Sequence, residues 1–211
     1  MFDIEYKGGN AVLITTKKST LYLDPKLSIV RLSDPKLKND VQVATEERFL
    51  VEASTAKLTV RGPGEYEVGE FTIKGTAARR HIDTEADVKK STIYRIECEG
   101  VRIGVLGNID PTLDDDQQEA IGVIDILILP VGGGGYTLDA TAATALVRQL
   151  DPKVVIPVHY ADGALRYEVP QATLDTFTKE LGAPVETVGK YRVKSSAALP
   201  ASLTLIEVTR S

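Results

Sequence analysis

Short β-branched and aliphatic runs dominate the first half of the chain. Residues 12–14 and 21–23 are two of them, Val-Leu-Ile and Leu-Tyr-Leu. Gly8-Gly9-Asn10 precedes the first run and Lys17-Lys18-Ser19 separates the two, a pattern that predicts a hairpin. Asp24-Pro25 ends the second strand, because proline has no N–H to give a ladder. Further strands are predicted over 57–60, 65–68, 70–74, 91–98 and 101–106. Gly69 and Glu99-Gly100 supply tight turns between them. The second half alternates strand and helix patterns. Ile-Leu-Ile-Leu within 125–130 is continuously apolar, as in a strand covered on both faces, and 154–158 reads the same way. Ala143, Leu146, Val147 and Leu150 form one apolar stripe and predict a helix over 139–150. A shorter helix over 114–121 begins with acidic residues, where the macrodipole favours them. Another opens at Pro170, carries Leu174, Phe177 and Leu181, and ends at Gly182. Residues 202–208 close the chain as a strand. Strands first, then strand–helix–strand, predict a layered α/β protein. No linker or repeat interrupts it, so residues 1–211 read as a single domain.

Composition narrows the function classes. Lys plus Arg total 25 and Asp plus Glu 30, and the pI is about 5.2. Such a chain lacks the basic surface that general nucleic-acid binding needs, so no nucleic-acid partner is expected. The longest apolar stretch, 126–131, falls far short of the roughly 20 residues that span a bilayer, so no membrane partner is expected either. Cys98 is the one cysteine, which excludes an internal disulfide and a zinc site of several cysteines. A single thiol, and a start without a secretory pattern, fit a cytoplasmic protein. The sequence leaves the oligomeric state open.

Four places invite a chemical reading. Gly132 to Gly135 follow a buried strand, but Tyr136-Thr137 stands where a phosphate-binding loop needs Lys-Ser/Thr, so a plain turn is expected. Asp110 and Asp114 to Asp116 read as a solvated helix start rather than a cation site. Arg79-Arg80-His81 is a basic cluster that suits an anion or is simply exposed charge. His159 ends a buried strand, where α/β proteins commonly build sites. Cys98 lies between Glu97 and Glu99, which oppose thiolate formation and argue against a catalytic cysteine.

Five segments, taken in order, resemble the metallo-β-lactamase fold. They are Leu21-Tyr22-Leu23-Asp24-Pro25; Gly62-Pro63-Gly64-Glu65-Tyr66-Glu67-Val68; residues 100–108, ending in Gly107-Asn108; residues 124–133, ending in Pro130-Val131-Gly132-Gly133; and residues 151–160, ending in Pro157-Val158-His159-Tyr160. The pattern is most similar to the short metal-dependent hydrolases that include L-ascorbate-6-phosphate lactonase-like proteins. The resemblance implies an αββα sandwich with its site at one edge of two sheets. It also implies metal-assisted hydrolysis. The family's ligands come from His-x-His-x-Asp-His, a later histidine, a bridging aspartate and a final histidine.

This sequence departs from that ligand set. Glu46 stands at the first histidine, Arg48 at the second, Leu50 at the aspartate and Val51 at the third histidine. Leucine and valine cannot coordinate, and arginine offers no lone pair. Asn108 replaces the bridging aspartate and Gly9 an early histidine, whereas His159 matches. Ungapped alignment puts Arg80 on the later histidine and His81 one residue on, facing the opposite side unless a bulge intervenes. The expectation is a non-catalytic homologue without metal or other cofactor. Arg48, Arg80 and His81 would then occupy the vacated pocket, beside Glu46 and Asn108 and opposite His159. Fixed positive charge there suits a small anionic partner, a phosphate or a carboxylate. In a plainer version Glu46 pairs with an arginine and plugs the site. The rival expectation is a hydrolase of a lactone, ester or phosphoester with His159 as its catalytic residue. It would use one metal on His159, His81 and Glu46, or no metal, with His159 as general base near its ordinary pKa of about 6.5.

Overall fold

The computed structural model describes residues 1–52, 55–85 and 88–211. The first sheet begins with β1 (Phe2–Gly8), β2 (Ala11–Thr15) and β3 (Thr20–Leu23), three antiparallel strands. β4 (Val41–Val43) and β5 (Leu58–Val60) add to it in parallel. The second sheet begins as an antiparallel meander of β6 (Gly64–Val68), β7 (Phe71–Ala78), β8 (Ser91–Cys98) and β9 (Val101–Val105). It turns parallel at β10 (Ile126–Pro130) and β11 (Val154–Val158). β12 (Val185–Val188), β13 (Tyr191–Val193) and β14 (Thr204–Val208) complete the set, β13 returning to pair with β1 of the first sheet. Among the described residues the sheets run β13-β1-β2-β3-β4-β5 and β12-β14-β11-β10-β9-β8-β7-β6.

Alternation decides how the layers stack. Phe2, Ile4, Tyr6, Ile14 and Leu21 face inward from the first sheet and meet Ile73, Tyr94, Ile96, Ile128 and Ile156 from the second. The other face of the second sheet, through Ile93, Leu127, Val155 and Leu205, packs against Leu146, Val147 and Phe177. Those last three come from α2 (Ala140–Leu150) and α3 (Leu174–Leu181). β10 and β11 are therefore buried along their whole length, as their unbroken apolar runs require. α1 (Asp115–Ile121) starts in a capping box, with Asp114 and Gln117 each bonding the other's backbone N–H. The acidic run at 114–116 is thus a helix start. The mixed α/β fold with two stacked sheets is the one the resemblance implied.

The hydrophobic pattern misplaced some elements. The stretch that opens at Pro170 becomes helical only at Leu174. Ala172 spends its backbone on Gly132 and Ala161 instead, its N–H donating to Gly132 O at 2.7 Å and its carbonyl accepting from Ala161 N–H at 2.8 Å. β1 is a strand that the polar letters Asp3, Glu5 and Lys7 disguised, although Phe2, Ile4 and Tyr6 are buried at period two. Among the described residues, no helix is long and apolar enough to cross a membrane.

Two connections fix the sheets against each other at one edge. Thr45, just past β4, accepts from Thr92 N–H at 2.8 Å and Ser91 Oγ at 3.1 Å on β8. His159 N–H, just past β11, donates to Gly9 O at 2.8 Å in the β1–β2 turn. Thr45 is itself held by the buried Asp24, which accepts from its N–H and its hydroxyl, both at 2.7 Å. Gly107 passes against this knot at φ 64°, and a Cβ there would sit 2.7 Å from Thr45 Cβ and Oγ1. Because Asp24 pins the threonine, it cannot swing away. Gly107→Ala is expected to lower stability by about 3 kcal/mol through left-handed strain and overpacking. Urea melts check this; a loss below about 0.5 kcal/mol would show the knot to be slack.

Candidate functional site

Each candidate side chain enters from a strand end at that stitched edge. Glu46 follows β4, and the 3₁₀ turn Glu47–Phe49 brings Arg48 back over it. Arg80 follows β7, where residues 79–81 pair with 108–110: Arg80 bridges Ile109, and His81 N–H donates to Asn108 O at 2.9 Å. Asn108 follows β9, His159 follows β11 at φ 52°, and Asn10 caps the β1–β2 turn.

Glu46 is the hub. Its side chain is only 3% exposed. Arg48 Nη2 donates to Oε1 at 3.2 Å, while Arg48 Nε lies 3.0 Å from Oε2 as an ion-pair contact. Arg80 Nη1 lies 3.6 Å from Oε2. Asn108 Nδ2 donates to Oε1 at 3.3 Å. The chain continues away from the carboxylate. Asn10 Nδ2 donates to Asn108 Oδ1 at 3.2 Å, and Asn10 Oδ1 meets His159 Nδ1 at 2.9 Å. Arg80 is also held by Asp83, with Nη2 2.6 Å from Oδ1, which keeps its guanidinium charged beyond the ordinary range.

The structure thus brings Glu46, Arg48, Arg80, Asn108 and His159 into one network, with Asn10 as the link. Arg80, not His81, reaches the centre; the antiparallel pairing of 79–81 leaves His81 beside it. His81 bonds Asn108 through its backbone, while its buried Nδ1 has no hydrogen-bond partner. The one-metal set of His159, His81 and Glu46 is not assembled: among the described residues, no three His, Cys, Asp or Glu side chains form a group able to hold a metal ion. Leu50 turns into a small cluster with Ala44 and Phe49. Arg79, the third member of the basic cluster, is spent on Asp110. Cys98 is buried, and desolvation pushes its thiol up to about 12, so it is inert at neutral pH.

A cavity of about 100 Å³ opens beside the network, lined by Val30, Arg48, Phe49, Tyr136, His159 and Tyr167 among others. The Arg48 guanidinium lies 4.8 Å from the Phe49 ring centre and 5.0 Å from that of Tyr136. His159 stacks on Tyr136 at 5.7 Å and tilts against Tyr167 at 4.7 Å. Burial, seconded by Arg48, drives the imidazole pKa down to about 3. This corrects the expectation of a base near its ordinary value: His159 is neutral at pH 7 and weakly basic. Asn10, Tyr136 and Tyr167 were not legible as site residues. The first two sit in Gly-rich turns that advertise only backbone conformation, and Tyr167 lies in a loop without a pattern.

Residues 3–159 match the model of a beta-lactamase superfamily domain. The chain belongs to that superfamily. It is 30% identical over 116 residues to a protein of Thermococcus onnurineus described as a UPF0173 metal-dependent hydrolase. That match covers 53% of this chain and 51% of the relative, so the chain spans about half the length of the curated relative it matches. Among solved structures, it is similar to a protein of Thermotoga maritima described as a Zn-dependent hydrolase of the metallo-beta-lactamase superfamily. The TM-score is 0.74 at 22% identity, covering 99% of this chain and 100% of the other. Igni18 of Ignicoccus hospitalis, described as a novel metallo hydrolase, gives a TM-score of 0.64 at 20% identity, covering 99% and 95%. At such identities the two structures speak for the fold alone.

The buried acid and base of this edge have opposite pH signatures. Desolvation raises Asp24 from 3.8 to about 7, so its contribution to stability is full below about pH 4 and is lost as pH rises through 7. His159, lowered from 6.5 to about 3, contributes fully above about pH 6.5 and loses that as pH falls toward 3. Denaturant melts at about pH 4.5 and about pH 7.5 separate them. Relative to the wild type, Asp24→Asn is expected to gain, and His159→Gln to lose, about 2–3 kcal/mol on going to the higher pH. Parallel wild-type and variant curves would refute both assignments.

Proposed function

We propose that this superfamily member has exchanged the family's metal centre for a fixed ion-pair network, and that it binds a small anionic molecule in the cavity beside it instead of hydrolysing one. The observation that carries the reading is the Glu46 carboxylate, engaged by two guanidiniums and an amide N–H. A cation would have to enter against Arg48 and Arg80 and strip Glu46 of both. The donor set therefore does not fit a metal ion, and no metal-dependent step is assigned here. Arg48 remains about one-third exposed and lines the cavity, so a guanidinium edge is free to meet an oxyanion by charge-assisted hydrogen bonds. Val30, Phe49, Tyr136 and Tyr167 form an apolar and aromatic wall beside it that strengthens that contact, while Glu168 and Gln171 complete the lining and confine an anion to the Arg48 side. Retention of hydrolysis by His159 alone is disfavoured by its low basicity, since a general base works best with a pKa near the working pH.

Calorimetric titration of the full chain with inorganic phosphate tests the reading. Saturable binding is expected for the wild type, weakened about tenfold or more in Arg48→Met, a variant of similar length that keeps the packing on Phe49 and Tyr136. Absence of binding to the wild type, or equal binding by the variant, would contradict it.

A further inference from the structure

We infer that Glu46, acting through two asparagines, fixes His159 with its proton on Nδ1, so that the cavity takes an anion carrying its own O–H or N–H donor. The inference rests on the anion-binding reading above and adds the chemistry of the occupant.

Direction along the hydrogen-bond chain carries it. A carboxylate paired with two guanidiniums only accepts, so Asn108 must turn its amide nitrogen toward Glu46, at 3.3 Å. That leaves the Asn108 oxygen facing Asn10, which must answer with its own amide nitrogen, at 3.2 Å. The Asn10 oxygen then faces His159 Nδ1 at 2.9 Å, and an oxygen acceptor there requires a proton on Nδ1. The imidazole is neutral, so the proton on Nδ1 leaves Nε2 as a bare lone pair. Nε2 has no protein partner among the described residues, and His159 lines the cavity. Reversing any one amide would set two donors or two acceptors face to face somewhere in the buried chain, which is the costly arrangement. Glu46 is therefore a positioning residue: it never touches the occupant, yet it decides whether His159 offers an acceptor or a donor.

The cavity consequently presents two unlike groups, each packed against Tyr136. The Arg48 guanidinium lies 5.0 Å from that ring centre and the His159 ring 5.7 Å. Arg48 asks for anionic oxygen, and Nε2 asks for a hydrogen-bond donor. Hydrogen phosphate and hydroxy-carboxylates satisfy both. Sulfate, of the same shape and charge as hydrogen phosphate, has no proton to give and would set its oxygens against the Nε2 lone pair.

Two measurements on the full chain test this. The sequence has just two histidines, so nitrogen-15 NMR of uniformly labelled protein resolves both rings. At pH 7 the wild type is expected to show His159 with a protonated Nδ1 and a pyridine-like Nε2. Glu46→Gln, whose amide can offer either an oxygen or a nitrogen to Asn108, is expected to show both tautomers. A wild-type His159 protonated on Nε2 overturns the proposal without any variant. Titrations with phosphate and with sulfate, followed on the His159 Nε2 resonance, test the consequence. Phosphate is expected to bind at least about tenfold more tightly, the worth of one lost hydrogen bond and an exposed lone-pair clash. Equal binding of the two overturns this inference and leaves the anion-binding reading standing. Binding of neither overturns that reading, and this one with it.

Discussion

One buried carboxylate organises this edge of the molecule. Glu46 sits at the end of a parallel strand with almost no exposure, where an unpaired negative charge would be intolerable. Everything around it follows from that demand. Arg48 folds back over it through a single 3₁₀ turn, Arg80 reaches it from the neighbouring sheet, and Asn108 donates from the loop after β9. Asp83 in turn restrains Arg80, so the cluster of two acids and two guanidiniums is close to neutral. A neutral, directional cluster can be buried between two sheets that a lone charge would force apart.

The fold makes such a cluster possible because its two sheets end at the same edge. Parallel strands deliver their carboxyl ends there, and the connections after β4, β9 and β11 place Glu46, Asn108 and His159 within their first three residues. Fold and membership of the superfamily come with this scaffold, whereas the chemistry depends on which side chains the loops deliver. In the reading proposed above, two fixed guanidiniums stand for the positive charge that metal ions bring to relatives, and the loss of exchangeable coordination sites separates binding from hydrolysis.

Much of the fold was legible in the hydrophobic pattern. The unbroken apolar runs at β10 and β11 announced strands buried on both faces, and the stripe of Ala143, Leu146 and Val147 announced α2. β1 escaped because its outward residues are charged, and the start of α3 was misread because backbone bonds from Ala172 to two loops hold off the helix. At the site, the positions of Glu46, Arg48, Arg80, Asn108 and His159 were readable, but their relation was not. Arg80 won over His81 through the pairing of 79–81 with 108–110, a long-range feature. Asn10 lies 149 residues from its partner His159, so no local pattern could join them. The low basicity of His159 is likewise a product of burial that no spacing encodes.

Native mass spectrometry of the untagged chain, before and after incubation with excess zinc, puts the exchange of metal centre for ion-pair network to its most direct trial. The account predicts the bare polypeptide mass in both spectra, with no adduct that survives gentle desalting. One zinc retained per chain, and lost on His159→Ala, would contradict it and return this protein to the metal-dependent chemistry of its relatives.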